Sequence, residues 1–300
     1  MAKLNRPPVI YSPTSLQDLL KIYHLNPDSL IYAGGTGLLS GTEGDIFQLR
    51  GSVINIAGIE ELKKISRTDR YLELGASVPV SRVIDLGKSI VPEALYRALK
   101  HMGPPQIRNM ATIGGNICRQ AVVMDIFPVL HLLDSQVELR RFRENRSPRR
   151  FLKGSGSRWT PVSRLINSEG KITMEPGEIL TRIRIPGENW TFESYRKIEG
   201  PGTPLIFTAM ARMDKHILTD IRICFSTVRE KLMRSRDIEA EMIGHRVPFS
   251  SRELTLLGGK IGSYFQNAGE SSFTTARASA LTIQFLEKIS EPVDEGLHFQ

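Results

Sequence analysis

The chain has 300 residues, 40% of them hydrophobic and 24% charged, and a formal net charge of +8. That length can bury a core in two or three domains or subdomains of an ordinary globular protein. No apolar run approaches the ~20 residues of a membrane span, the N-terminus lacks a signal peptide's apolar core, and Cys118 and Cys224 alone exclude a disulfide framework or a four-cysteine cluster.

Residues 14–24 (TSLQDLLKIYH) offer Thr14 as an N-cap, with Leu16, Leu19, Leu20 and Tyr23 at helical spacing. SLIYAGG reads as a short strand. It runs into YAGGTGLLSG (Tyr32 to Gly41), which holds four glycines in ten positions. SVINIAG (52–58) is a second strand, IEELKK (59–64) a helical turn and YLELGASV (71–78) a strand. Pro79 and Ser81 begin a helix, VSRVIDLGK. PEALYRALKHM (92–102) is a helix with proline at its first position and Leu95, Ala98, Leu99 and Met102 on one face. GPPQIRNMATIGGNICR (103–119) reads as a loop carrying a second glycine pair. MDIFPVLHLLDS is helical, with Asp125 at its start. QVELRR, PVSRLI and EILTRIRIP read as strands. From Trp190, TFESYRKI, PLIFTAMARMD and LTDIRICFSTV alternate, most simply as a three-stranded antiparallel sheet. Ser251 to Ile289 reads as two helices parted by Gly269-Glu270-Ser271. The polar tail EPVDEGLHFQ is set aside. The expected class is α+β.

The stretch from Arg140 to Arg158 (RRFRENRSPRRFLKGSGSR) is densely basic. A nucleic-acid arm is one reading. Only Phe142 and Phe151 interleave and no nucleic-acid motif is present, so a solvated hairpin loop or a surface for an acidic partner is favoured. No nucleic-acid or membrane partner is expected, and the location expected is cytoplasmic.

The glycine segments suit either an anion or a tight turn. Gly35-Thr-Gly37-Leu-Leu-Ser-Gly41 loosely fits a dinucleotide-binding fingerprint. That motif needs a helix at the loop and a long crossover to a parallel strand. TEGDIFQLRGS offers about ten residues, no amphipathic period and no acidic residue at the end of the second strand, so this reading is rejected. Two glycine segments roughly eighty residues apart instead suit one ligand with two phosphates, such as FAD.

AGGTGLL (Ala33 to Leu39), LELGASVPVSRVI (Leu72 to Ile84) and above all PPQIRNMATIGGNICR (Pro104 to Arg119) resemble the FAD-binding subunit of molybdenum hydroxylases, the medium-subunit family of xanthine dehydrogenase and carbon monoxide dehydrogenase. Asp125, nine residues after Asn116, with GEILTRIRIP and SYRKI, also matches. The resemblance runs from Pro8 to about Ile289. It implies a two-part FAD-binding module of the PCMH or vanillyl-alcohol-oxidase type, 1–58 and 59–189, followed by a C-terminal domain, 190–290. It implies non-covalent FAD. Ala33, Gly34, Gly35, Thr36 and Gly37 would supply backbone donors to the diphosphate, as would Thr112, Gly114, Gly115 and Asn116. Asp125 would hydrogen-bond the ribose–adenine half. Leu180 would pack on the flavin or adenine, and Lys197 would sit near the flavin and favour its reduced, anionic form. The implied protein is an oxidoreductase subunit that passes electrons from a 2Fe–2S partner through FAD to NAD+ or another acceptor, alongside a molybdenum-cofactor subunit.

Departures exist. The family usually has Asp where Gly37 stands, Ser-Pro where Ala121-Val122 stand, and an Arg then Asp-Ile-Ala in the segment after Lys197. They leave a second implied reading, a non-catalytic assembly subunit with a degenerate FAD site. Without the resemblance, Asp125 is equally a helix cap, Lys197 a solvated strand residue and Cys118 a small buried filler. His24, His101, His131, His216, His245 and His298 lack ligand spacing, so no metal site is expected. No side-chain nucleophile or acid–base pair stands out, so no catalytic side chain is assigned.

Overall fold

The computed structural model describes residues 8–39, 51–119, 125–143, 156–167, 170–200, 204–229 and 232–291. Its contacts divide the chain into two units. Unit one takes Met1–Pro92, Leu99–Gln120 and Leu133–Gly187; unit two takes Glu93–Ala98, Ala121–Leu132 and Glu188–Gln300. Ala121, Val122, residues 144–155 of the basic stretch, much of the TEGDIFQLRGS connection and the tail from residue 292 lie outside the described residues.

Unit one opens with β1 (Val9–Tyr11), α1 (Leu16–Leu25), β2 (Leu30–Tyr32), the four-residue α2 (Thr36–Leu39) and β3 (Ser52–Asn55). The cap of α1 is Ser15, not Thr14: its side chain accepts the Asp18 N–H, and Leu19 and Leu20 turn inward. The three strands form a parallel sheet in the order β1-β3-β2, with Leu30 opposite Val53. The short connection counted against a parallel return of the chain, yet β2 and β3 are parallel neighbours.

β4 (Ile65–Arg67), β5 (Tyr71–Gly75), β6 (Gln136–Arg141), β7 (Gly156–Pro161) and β8 (Ile179–Pro186) form an antiparallel sheet in the order β4-β5-β8-β6-β7. PVSRLI, expected as a strand, begins with a 3-10 turn at Val162–Arg164, and the strand lies just before it, where β6 supplies a ladder partner. One core cluster joins Leu19, Leu20, Ile54, Ile56, Ile59, Leu62 and Ile179. It spans residue 58, where the sequence suggested a subdomain boundary.

The basic stretch enters through the β6–β7 hairpin, where Arg141 faces Gly156. Its described arginines on these strands are paired: Arg140 with Glu138, Arg141 with Glu175 and Arg158 with Glu178. Burial pushes the Glu178 carboxyl up. The hydrogen bonds from Arg158 and the Glu175 N–H, with the charges of Arg158 and Arg141, outweigh this and leave it below its ordinary value.

In the chain between β5 and β6 come α3 (Val80–Ile84), α4 (Glu93–Lys100), most of which belongs to unit two, α5 (Pro105–Met110) and α6 (Ile113–Cys118). The segment read as a loop from Gly103 to Arg119 is thus two short helices. Pro105 fits the first turn of α5 and Thr112 caps α6. Six residues each are too few to display a period.

Unit two contains α7 (Phe127–Leu132), β9 (Phe192–Ile198), β10 (Leu205–Asp214), β11 (Ile217–Ser226), α8 (Arg236–Met242), α9 (Ser251–Asn267) and α10 (Ser272–Ser290). The strands form the expected antiparallel sheet, in the order β11-β10-β9. Leu205 to Ala211 of β10 is buried at every position. Leu205, Phe207, Ala209 and Ala211 share a core cluster with Leu257, Ile261, Phe265 and Phe285 of α9 and α10. The opposite face, with Ile206, Thr208 and Met210, lies toward α7: Arg222, paired across the ladder with Met210, donates to the Leu132 carbonyl. A capping box, Ser250 with Glu253, starts α9, and the α9–α10 break falls at Gly269 as expected. Among the described residues no helix is long and apolar enough to cross a membrane.

Candidate functional site

The first glycine segment leaves β2 at Tyr32, whose carbonyl accepts the Ile56 N–H at 2.9 Å. A Cβ at Gly34 would lie 1.8 Å from the Met110 carbonyl oxygen and 3.2 Å from the Ala111 nitrogen, so the two main chains meet here and only glycine fits. Gly35 has φ +70, a conformation that disfavours side chains, and lies beneath the Tyr32 ring. The Leu38 N–H closes the turn on the Gly35 carbonyl at 3.0 Å. Among the described residues no acceptor takes the N–H of Gly34, Gly35 or Thr36. Three successive amides without an acceptor among the described residues, in a half-buried loop, are suited to an anion. Ala33 turns its methyl to the unit-one core.

The second segment is wired differently. The Ile113 N–H donates to Val78 O at 3.1 Å, Gly114 to Ala76 O at 2.9 Å, Gly115 to Thr112 Oγ1 at 3.1 Å and Asn116 to Thr112 O at 2.9 Å. The backbone donors expected from Gly114, Gly115 and Asn116 are therefore engaged within the chain. A Cβ at Gly114 would lie 2.7 Å from Ala76, which makes Gly114 a packing glycine. Gly115 has no positive φ and is exposed; its Cβ would meet only Thr112 Oγ1, at 2.7 Å. Among the described residues no acceptor takes the Thr112 N–H, so the donors left in this segment are that one amide, the Thr112 hydroxyl and the Asn116 side-chain amide.

Asp125 and Lys197 meet within unit two. Lys197 lies opposite Ile206, on the sheet face that α7 covers, and Asp125 stands just before that helix. Lys197 Nζ is 2.9 Å from Asp125 and 3.1 Å from Glu199. Burial pulls the ammonium down, but the hydrogen bonds and charges of Asp125 and Glu199 outweigh it and hold Lys197 above the ordinary lysine value. Lys197 is therefore not a lone positive charge: two carboxylates balance it. Tyr195, on the same face, is buried; burial, then the charges of Asp125 and Glu199, push its phenol well above the ordinary range. Leu180 belongs to neither group. It sits on β8 opposite Leu139, 4% exposed, in the interior of the five-stranded sheet.

In unit one, then, Gly34 lies against the Met110–Ala111 link that leads into Thr112 to Asn116, and in unit two Asp125 and Lys197 form an ion pair. Sequence reasoning passed over Tyr32 and Arg119, which flank the first segment; nothing in their immediate sequence marks them.

The profile of the family described as FAD binding domain in molybdopterin dehydrogenase matches residues 3–188. The chain belongs to this family. It is 24% identical over 256 residues to the xanthine dehydrogenase FAD-binding subunit of Escherichia coli O157:H7, covering 82% of each. It is 25% identical over 244 residues to the glyceraldehyde dehydrogenase medium chain of Sulfolobus acidocaldarius, covering 78% of this chain and 80% of that one. Among solved structures, a carbon monoxide dehydrogenase from Hydrogenophaga pseudoflava superposes with a TM-score of 0.77 at 21% identity, over 95% of this chain and 97% of that one. Quinoline 2-oxidoreductase from Pseudomonas putida 86 follows at 0.74 and 17%, with the same coverage. The resemblance read from the glycine motifs is borne out, as is an α+β fold with a C-terminal antiparallel sheet. The half-buried amides of Gly34 to Thr36 fit the diphosphate of the cofactor that names this FAD binding family.

Proposed function

We propose that this chain is the FAD-binding electron-transfer subunit of a molybdenum hydroxylase complex of the xanthine dehydrogenase kind. The observation that carries the reading is the run of three amides, Gly34 to Thr36, without an acceptor among the described residues. FAD, when bound, takes up electrons singly and hands them on as a hydride, which links an iron–sulfur donor to NAD+ or another two-electron acceptor. The chain's own residues bind and orient. The amides of Gly34 to Thr36 hold the diphosphate, and the Thr112 hydroxyl and Asn116 amide add side-chain donors. Asp125 accepts from the ribose–adenine half, and Lys197 fixes the Asp125 carboxylate through their 2.9 Å contact. Leu180 is left to the core. The partners are a 2Fe–2S subunit and a molybdenum-cofactor subunit.

A second reading, a non-catalytic assembly subunit, draws support from the second glycine segment, where the N–H groups of Ile113 to Asn116 already bond within the chain. One experiment separates the two. The purified chain should take up FAD, turn yellow and release the flavin on heating or acidification, because neither Ala33 to Gly37 nor Thr112 to Asn116 contains a His or Cys to carry a covalent link, Cys118 lying just past the second run and His101 before it. Co-expressed with both partner subunits, it should form a complex in which substrate reduces the flavin. A chain that stays colourless with excess FAD, yet still joins its partners, would establish the assembly reading.

A further inference from the structure

Arg119 follows α6, and its N–H donates to Gly115 O at 3.1 Å, which fixes where its side chain begins. From there the side chain crosses the first glycine segment. A Cβ at Gly37 would lie 2.8 Å from Arg119 Cδ and 3.2 Å from Arg119 Nε. Any side chain at residue 37 would take the space that this arginine occupies. Gly37 directly follows the three amides of Gly34 to Thr36. Neutral amides leave the charge of a diphosphate uncompensated, whereas a guanidinium adds a permanent charge and a two-pronged donor that matches phosphate oxygens.

We propose that Arg119 is a diphosphate-binding residue of this chain and that the missing side chain at Gly37 is what admits it to the nest. The inference rests on the FAD-binding reading and goes beyond it: it assigns a cationic contact where the family resemblance offers only backbone donors, and it gives the Gly37 departure a physical role.

The test is a titration of the full chain with FAD, read by flavin fluorescence, in wild type, Arg119→Gln, Arg119→Lys and Gly37→Ala, with ADP as a second, flavin-free diphosphate ligand. Arg119 is exposed, so Arg119→Gln should keep the wild-type melting temperature. It should weaken FAD and ADP about tenfold to a hundredfold and flatten the salt dependence of binding. Arg119→Lys should restore the salt dependence but not the full affinity. Gly37→Ala should weaken binding in wild type and have no added effect on Arg119→Gln, because both remove the same contact. FAD bound by wild type and Arg119→Gln with equal affinity and equal salt dependence would overturn the inference and leave the FAD-binding reading standing. A wild type that ignores FAD but binds ADP through Arg119 would overturn the FAD reading alone; one that binds neither would overturn both.

Discussion

The two glycine segments of unit one look alike in sequence and are wired in opposite ways. In the first, Gly34, Gly35 and Thr36 point amides at no acceptor among the described residues; in the second, Ile113, Gly114, Gly115 and Asn116 all donate within the chain. A glycine can serve either to free a backbone for a ligand or to let two parts of the protein touch. Gly34 does both, since its contact with Met110 sets the loop and no acceptor among the described residues takes its own N–H. Gly114 does only the second. What separates a ligand nest from a packing seam is the destination of each N–H, not the number of glycines.

The contrast can be broken by substitution. The largest effect should come from Gly34→Ala. A methyl 1.8 Å from a carbonyl oxygen forces the main chains apart, at about 3 kcal/mol or more. A lowered urea midpoint together with lost FAD binding is expected, and wild-type stability would refute the main-chain contact. Next is Gly35→Ala. Alanine at φ +70 beneath the Tyr32 ring strains the turn by about 1–2 kcal/mol, and FAD affinity should fall about tenfold as the amides tilt. Gly115→Ala should be milder. Its new methyl meets the end of a movable side chain, Thr112 Oγ1, so losing that cap costs about 1 kcal/mol, while FAD affinity falls only about threefold to fivefold as one side-chain donor is displaced. If Gly115→Ala instead abolished FAD binding at unchanged stability, the roles of the two segments would be reversed.

The smallest effect should come from a site outside both segments. The folded value of Lys197 lies above its ordinary 10.5. The stabilisation from its pair with Asp125 is therefore fully present below that pH and lost as pH rises through the raised value. Both side chains are about a fifth exposed, so the pair contributes about 1 kcal/mol or less. Melting temperatures from pH 9 to 12 should fall more steeply for wild type than for Asp125→Asn; parallel curves would mean that the pair contributes nothing.

Much of this architecture was legible in the sequence. The three alternating segments after Trp190 became β9, β10 and β11, since strands of seven to ten residues are long enough to show their period. The paired helices at the end announced themselves through the break at Gly269-Glu270-Ser271. Short elements were not legible. β1 and β4 have three residues each, and their partner strands, not their own period, decide them. α5 and α6 hid behind prolines and glycines that usually mark loops. The family was legible because its motif is a fixed run of residues. Hydrogen-bond destinations were not, because the carbonyls of Ala76 and Val78 that claim Gly114 and Ile113 lie more than thirty residues upstream. The Lys197–Asp125 pair was equally hidden, since it depends on which face of β9 meets the chain before α7.

The sequence composition of unit two has a consequence for anyone who would divide the molecule. The chain passes from one unit to the other at residues 92, 98, 120, 132 and 187, so no single cut yields two intact halves. A fragment beginning at Glu188 would keep the β9–β11 sheet and helices α8 to α10 but lack α7. Ile206 and Met210, fully buried in the whole protein, would then lose the helix that covers them. Such a fragment should be sticky and poorly expressed, while one carrying residues 121–132 tethered to its front should behave far better. By its contacts the C-terminal portion is one unit with two segments from the middle of the chain, Glu93–Ala98 and Ala121–Leu132.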